Sequence, residues 1–252
     1  MKWPSLYWFI SLLLAVGAVA ADLNRTIQKA QKGDEAAQLA LGLMYAEGQG
    51  VEKNSAEALK WFQKAADQGN AAAEYNVGLM YNKGDGVQQN ALVAAIWWRQ
   101  AAAQGFVSAQ YNLGLMYSNG EGVPEDDVEA VKWWRMAADK GHTLAQHNLA
   151  LALSQGKGVA KDSAAALKLY REAALHGYAP AQYNLGVMYA TGEGVPKDMI
   201  EGLAWINIAA VAGEEVFVRS RDRLESKLGM AATLAAQERS KKLLKQVEVA
   251  QR

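Results

Sequence analysis

The 252-residue chain has no cysteine, only three histidines and four prolines, and no excess of either charge, with 26 basic and 26 acidic side chains. Without cysteine there are no disulfides, no thiol nucleophile, no thiolate metal ligand and no lipid attached through an N-terminal Cys. A formal net charge of zero gives no electrostatic reason to expect nucleic acid, which calls for a clustered basic surface. Of the histidines, His142 and His176 fall in turns after successive helices and could approach each other. Zinc needs three or four ligands in fixed geometry, so no metal is expected. No Ser/His/Asp set and no carboxylate pair can be placed on one surface by spacing. Ser154-Gln155-Gly156-Lys157 spells a Ser-x-x-Lys, but the Lys-Thr-Gly that accompanies it in β-lactam-binding enzymes is missing. The expectation is a protein without a catalytic centre and without a cofactor.

Long apolar runs are also scarce. The N-terminal MKWPSLYWFISLLLAVGAVA is the exception, with Lys2, an apolar stretch from Leu6 to Val16, then Ala18-Val19-Ala20. This is the three-part pattern of a secretory signal over residues 1–20, with cleavage after Ala20. An uncleaved anchor is the alternative, but the apolar stretch is shorter than the roughly 20 residues that a spanning helix needs. The mature chain is therefore expected in the periplasm or outside the cell, with no stable membrane insertion once the signal is removed.

Glycine, in contrast, is plentiful, and its placement is periodic. Gly33, Gly69, Gly105, Gly141, Gly177 and Gly213 recur at intervals of 36 residues. In the same step run the Gly-x-Gly-Val loops that begin at Gly48, Gly84, Gly120, Gly156 and Gly192. These loops follow helical stretches instead of strands and lack a Gly-Lys-Ser/Thr ending, so they are not phosphate cradles. A period of this size, made of two helical stretches, marks an all-α solenoid whose units bury their apolar faces only against neighbours. The architecture predicted is an alpha-alpha superhelix of five helix-turn-helix repeats over residues 35–213. An N-terminal half-cap over 21–34 precedes it, and a C-terminal helical cap over 214–252 closes it.

Each unit is built alike. Glycine inside a helix costs about 1 kcal/mol against alanine, so its return at Gly42, Gly78, Gly114 and Gly186 predicts close helix packing. The fourth unit has Ala150 within LALAL where the others have LGLMY or a near variant; it is expected to pack slightly differently. The first glycine of each loop suits the left-handed close of a helix. Asn54, Asn90, Asp126, Asp162 and Asp198 share one frame position and are residues that cap a helix start. In the second helices, Ala58, Phe62 and Ala65 share a face toward the partner helix, and Trp61 turns toward the neighbouring unit.

The pattern AxxxLGxMYxxGxGVxxDxxxAxxWWxxAAxxG resembles the Sel-one-like repeat (SLR), a relative of the tetratricopeptide repeat with a longer inter-helix loop. The resemblance covers about Glu35 to Gly213. It implies an adaptor or scaffold that binds a protein or an extended peptide on a concave face lined by first helices, in a bacterial envelope, signalling or virulence complex. A passive structural part of an envelope assembly is the alternative, and hydrolysis of β-lactams, to which some cysteine-rich relatives have been linked, is a remoter one. The chain is expected to be a monomer.

One polar column suits that face. Asn76, Asn112, Asn148 and Asn184 share a frame position, each preceded by an aromatic ring: Tyr75, Tyr111, His147 and Tyr183. An amide offers two donors and an acceptor to a peptide backbone, and Tyr adds rigid apolar contact. The same recurrence also fits Asn bonding between units with Tyr in the core. Glu47, Lys83, Asn119, Gln155 and Thr191 would set specificity. The cationic C-terminal helices read as a solvated cap over the last unit in preference to a docking face.

Overall fold

The computed structural model describes residues 23–251, and every regular element among them is helical. The signal assigned to residues 1–20 lies outside the described residues. The described part of α1 covers 23–31. Five helix pairs follow: α2 (Glu35–Glu47) with α3 (Ser55–Ala66), α4 (Ala71–Lys83) with α5 (Ala91–Ala103), α6 (Val107–Asn119) with α7 (Asp127–Ala138), α8 (Thr143–Gln155) with α9 (Ser163–Leu175), and α10 (Ala179–Thr191) with α11 (Met199–Ala210). Two further helices, α12 (Glu215–Glu225) and α13 (Met230–Ala250), end the chain. The architecture is an all-α repeat solenoid. The chain forms two compact units, one running to Met116 together with Gly120–Pro124, the other made of Tyr117–Asn119 and everything from Glu125 on.

Each unit's helices start and stop by the chemistry read from the sequence. Asn54, Asn90, Asp126, Asp162 and Asp198 all cap their second helices through a side-chain oxygen that accepts a backbone N–H. The first helices end on a left-handed glycine, as at Gly48 with φ 78°. The second glycine of each loop has a separate reason to be glycine. A Cβ on Gly86 would lie 2.5 Å from the Ser55 carbonyl carbon, and one on Gly194 would lie 2.5 Å from the Ser163 oxygen. The loop of one repeat thus rests on the first turn of the second helix of the repeat before it, backbone against backbone.

Glycines within helices serve packing inside the repeat. A Cβ on Gly42 would stand 2.5 Å from the Phe62 ring, and one on Gly78 would stand 2.5 Å from the Trp98 indole. The helices approach closely because one surface is bare and the opposing one carries a ring. The apolar faces then close between repeats. Trp61 packs with Tyr45 against Ala30 and Leu41, reaching back to α1. Trp97 packs with Tyr81 against a core drawn from α3 and α4.

The C-terminal helices cover the last repeat. Phe217 of α12 is buried against Ala209 and Ala210. On α13, Ser240 donates a hydrogen bond to the Ala204 carbonyl at 3.1 Å. Arg239 clasps Glu201 with Nε at 2.6 Å and a second nitrogen at 3.0 Å. Glu201 also accepts from the indole N–H of Trp205, which is fully buried. A buried carboxylate held by a fork of two N–H groups gains both charge and direction. Part of the cationic character of this segment is thereby spent inside the fold.

Candidate functional site

The Tyr/His and Asn residues at the shared frame position of the first helices are all half-buried. Their neighbours differ from repeat to repeat. Tyr75 lies against Trp98 and Phe106, with ring centroids 6.4 and 4.9 Å away. Tyr183 stacks on Phe217 at 4.9 Å, and its hydroxyl meets Ser220 at 3.1 Å. His147 packs between Tyr170 and Tyr178. Asn76 donates to the carbonyl of Ala72 in its own helix. Asn184 donates to His147 Nε2 at 3.2 Å across adjacent repeats, and the other ring nitrogen of His147 meets Asn148 Oδ1 at 3.2 Å. Burial holds the His147 imidazole below its ordinary pKa, so it stays neutral and can accept from Asn184. Asn112 makes no side-chain hydrogen bond within the described residues. The column thus carries contacts between repeats at His147 and Asn184, and an unengaged amide at Asn112. Glu47, Lys83, Asn119, Gln155 and Thr191 are the exposed last residues of the first helices.

A second polar column escaped the sequence reading. Gln38, Glu74, Gln110, Gln146 and Gln182 share a frame position and are all buried. Gln38, Gln110 and Gln182 each donate to a carbonyl eight residues earlier, that of Ala30, Ala102 or Ala174, at 3.0–3.1 Å. These bonds bring a side-chain donor to carbonyls at the end of the preceding helix that also accept from the following glycine, as Ala102 does from Gly105 N–H at 3.0 Å. Glu74 breaks the pattern, because a carboxylate cannot donate. It accepts from Gln104 at 2.8 Å, and burial raises its carboxyl above the ordinary value. The signal was the 36-residue recurrence itself, hidden because Gln in an amphipathic helix reads as a surface residue.

Ser154 and Lys157 do not face each other as a nucleophile and its base would. The Ser154 hydroxyl donates to the Leu151 carbonyl, and Lys157 pairs with Asp127 at 2.9 Å, which raises its ammonium pKa. His142 caps α8 by accepting from Ala145 N–H. The imidazole of His176 turns to the Glu172 carbonyl. Among the described residues no three His, Cys, Asp or Glu side chains gather as metal ligands. No helix there is long and apolar enough to cross a membrane.

The fourth repeat, where Ala150 led to an expectation of different packing, has Leu169 beside an open groove. A groove of about 890 Å³ opens between α7, α8 and α9, floored by Leu149, Leu153 and Leu169, with Gln146 in its wall. The burial of Tyr170 beside it pushes that hydroxyl up to about 12, even with hydrogen bonds to Ser154 and Asn184.

Paired helices of one length, joined by one loop and stacked through one set of contacts, define a helical repeat protein. The Sel1 repeat model matches residues 35–70, 71–106, 107–142, 143–178 and 179–213, and the chain belongs to the Sel1 repeat family. The crystal structure of a Sel1 repeat protein from Oxalobacter formigenes is 32% identical, with a TM-score of 0.78 over 95% of this chain and 97% of that one. A protective antigen present in uropathogenic Escherichia coli strains and displaying an SLR fold is 30% identical, with a TM-score of 0.62. That match takes in 92% of this chain and 58% of the antigen. No curated protein matches this chain. Sel1 repeat proteins generally mediate protein–protein interaction and are typically non-catalytic.

Proposed function

We propose that this protein is an exported bacterial adaptor that binds another protein, through an extended segment, on the face formed by its first helices. Support for binding comes from the family and from the column of half-buried rings and amides on those helices. The observation that carries the site is Asn112: it stands beside Tyr111 with an amide that no neighbour engages. Its counterpart Asn184 spends the same group on a contact between repeats. A rigid array suits such a task, since the cost of ordering the surface is met in folding and not at association. Export rests on the tripartite pattern of residues 1–20.

The test has two parts. Cell fractionation should place the protein in the periplasm or medium, shortened at its N-terminus. Crosslinking and pull-down from the envelope fraction should then capture a partner with the wild-type chain, and capture should fall in Asn112→Ala while circular dichroism stays unchanged. Equal capture by both chains would move the site away from this face. Full-length protein retained in the cytoplasm would contradict export.

A further inference from the structure

Three first helices in succession, α6, α8 and α10, contain no Asp, Glu, Lys or Arg. α12 ends that run. Counted on the 36-residue frame, α12 occupies the place of a first helix, with Arg219 where the earlier ones have Tyr111, His147 and Tyr183, and Ser220 where they have Asn. The contacts follow the frame as well. Tyr183 meets Ser220 at 3.1 Å across 37 residues of sequence, just as His147 meets Asn184 at 3.2 Å across 37. α12 therefore continues the ladder of first helices in register with α8 and α10.

The exposed side of this last step is basic. Arg223 takes the frame position of Leu151 and Val187, and Lys227, in the turn after the helix, takes that of Gln155 and Thr191. Arg219 and Arg223 stand one helical turn apart. With Glu215, Val216 and Ser220 they line a hollow of about 260 Å³. The acids of the segment are engaged or lie elsewhere. Glu215 pairs with Arg219, and Asp222 pairs with Arg221 at 2.7 Å. Glu225 lines a different hollow with Arg221 and Gln237. Glu214 lies by Tyr178, whose hydroxyl is held above its ordinary pKa by burial and by that charge. Among the described residues Arg223 and Lys227 are exposed and have no acidic partner.

We propose that the binding face runs on to α12, and that the partner's segment places Asp or Glu side chains there, against Arg223 and Lys227. On α8 and α10 the segment meets rings, amides and aliphatic side chains, which hold it without fixing its direction. Two unpaired cations at one end supply that direction, because complementary charge sets orientation and encounter more than raw affinity. A guanidinium also offers a carboxylate two parallel donors. Lipid headgroups carry negative charge too, but these cations stand in register with the half-buried Tyr and Asn column and not on an isolated patch, which favours a protein segment. The inference rests on the adaptor reading and names the partner's chemistry.

The probe is a phage-displayed library of random dodecapeptides, selected on the purified protein and sequenced. The pool retained by wild type should be richer in Asp and Glu than the pool retained by the double variant Arg223→Gln, Lys227→Gln, which alters exposed side chains only and should keep the wild-type circular dichroism. A labelled peptide from the wild-type pool should bind the double variant about five- to twentyfold more weakly by fluorescence anisotropy, and salt at about 0.5 M should erase most of that difference. Arg221→Gln, which removes a cation held by Asp222, should bind as wild type does. Acid enrichment equal in the two pools, or an affinity that the double variant does not change, overturns the proposal and leaves the adaptor. Retention of no peptide by wild type overturns it together with the peptide-binding reading. Acidic peptides lost by the double variant but held equally by Asn112→Ala uphold the α12 site and remove Asn112 from the face. Binding to phosphatidylglycerol vesicles that the double variant loses, with no acidic peptide selected, overturns the proposal and assigns the cations to a lipid surface.

Discussion

Repeat 2 and repeat 4 start from the same instructions and end differently. Both cap their second helix through a side-chain oxygen, Asn90 in one and Asp162 in the other, and both close the first on a left-handed glycine. Repeat 2 then fills its interior with Tyr81, Trp97 and Trp98, the last donating its indole N–H to the Tyr75 carbonyl at 3.1 Å. Repeat 4 has Leu153, Leu169 and Tyr170 at those positions and a groove beside them. The lesson is that loop and cap chemistry carries the frame, while ring size at two positions decides whether a unit is filled or hollow. A solenoid tolerates this because each unit is stabilised chiefly by its neighbours, so one hollow unit does not undo the rest.

The comparison can be broken most sharply in repeat 2. Trp98→Ala, at a side chain 3% exposed, should cost about 3–5 kcal/mol through cavity formation and the lost hydrogen bond, read by urea denaturation. Next, the half-buried Trp97→Leu should cost about 1–2 kcal/mol and create a groove like that of repeat 4. The reciprocal Leu169→Trp should leave stability unchanged or raise it by about 1 kcal/mol, because the space already exists. A large loss from Leu169→Trp would mean that the groove is shaped by backbone and not by ring size.

Smaller effects depend on pH. Glu74 is a carboxyl where repeat 4 has Gln146, and burial raises its pKa above 4.5. Its folded-state pKa exceeds the unfolded one, so its contribution is intact below pH 4.5 and lost as pH rises through the raised value. Glu74→Gln should therefore raise the melting temperature at pH 7, with the gain vanishing below pH 4.5. His147 runs the other way. Its pKa is held below 6.5 by burial, so its contribution is present above pH 6.5 and lost as pH falls through the lowered value. His147→Tyr, the residue of the sister repeats, should flatten the stability profile on the acid side of pH 6.5, and a profile as steep as wild type would contradict this assignment.

Much of the fold was legible because repetition supplies its own comparison. The interval of Gly33, Gly69 and their successors gave the helix-pair unit, and Asn54 or Asp126 marked where second helices begin. What the sequence concealed was the partner of each side chain. Gln38 and Gln110 look like surface residues until the preceding helix brings its last carbonyls to them. The second loop glycine recurs plainly, yet its reason, the backbone of the previous repeat lying 2.5 Å from where a Cβ would be at Gly86, exists only in the stacked array. The Asn column was visible as a column, but not the division of labour between Asn112, left open, and Asn184, bonded to His147. The groove left a trace in Leu153 and Leu169, whose loss of aromatic rings is plain in the frame. Only packing shows that both losses face one space.

The most direct test of the account places a photo-crosslinking amino acid in the producing cell at residue 119, at the end of the first helix that carries Asn112, and separately at residue 96 of the second helix α5. Both positions are solvent-exposed. The account expects a discrete adduct with one partner from position 119 and none from position 96. Adducts of equal yield from both, or from position 96 alone, would contradict it.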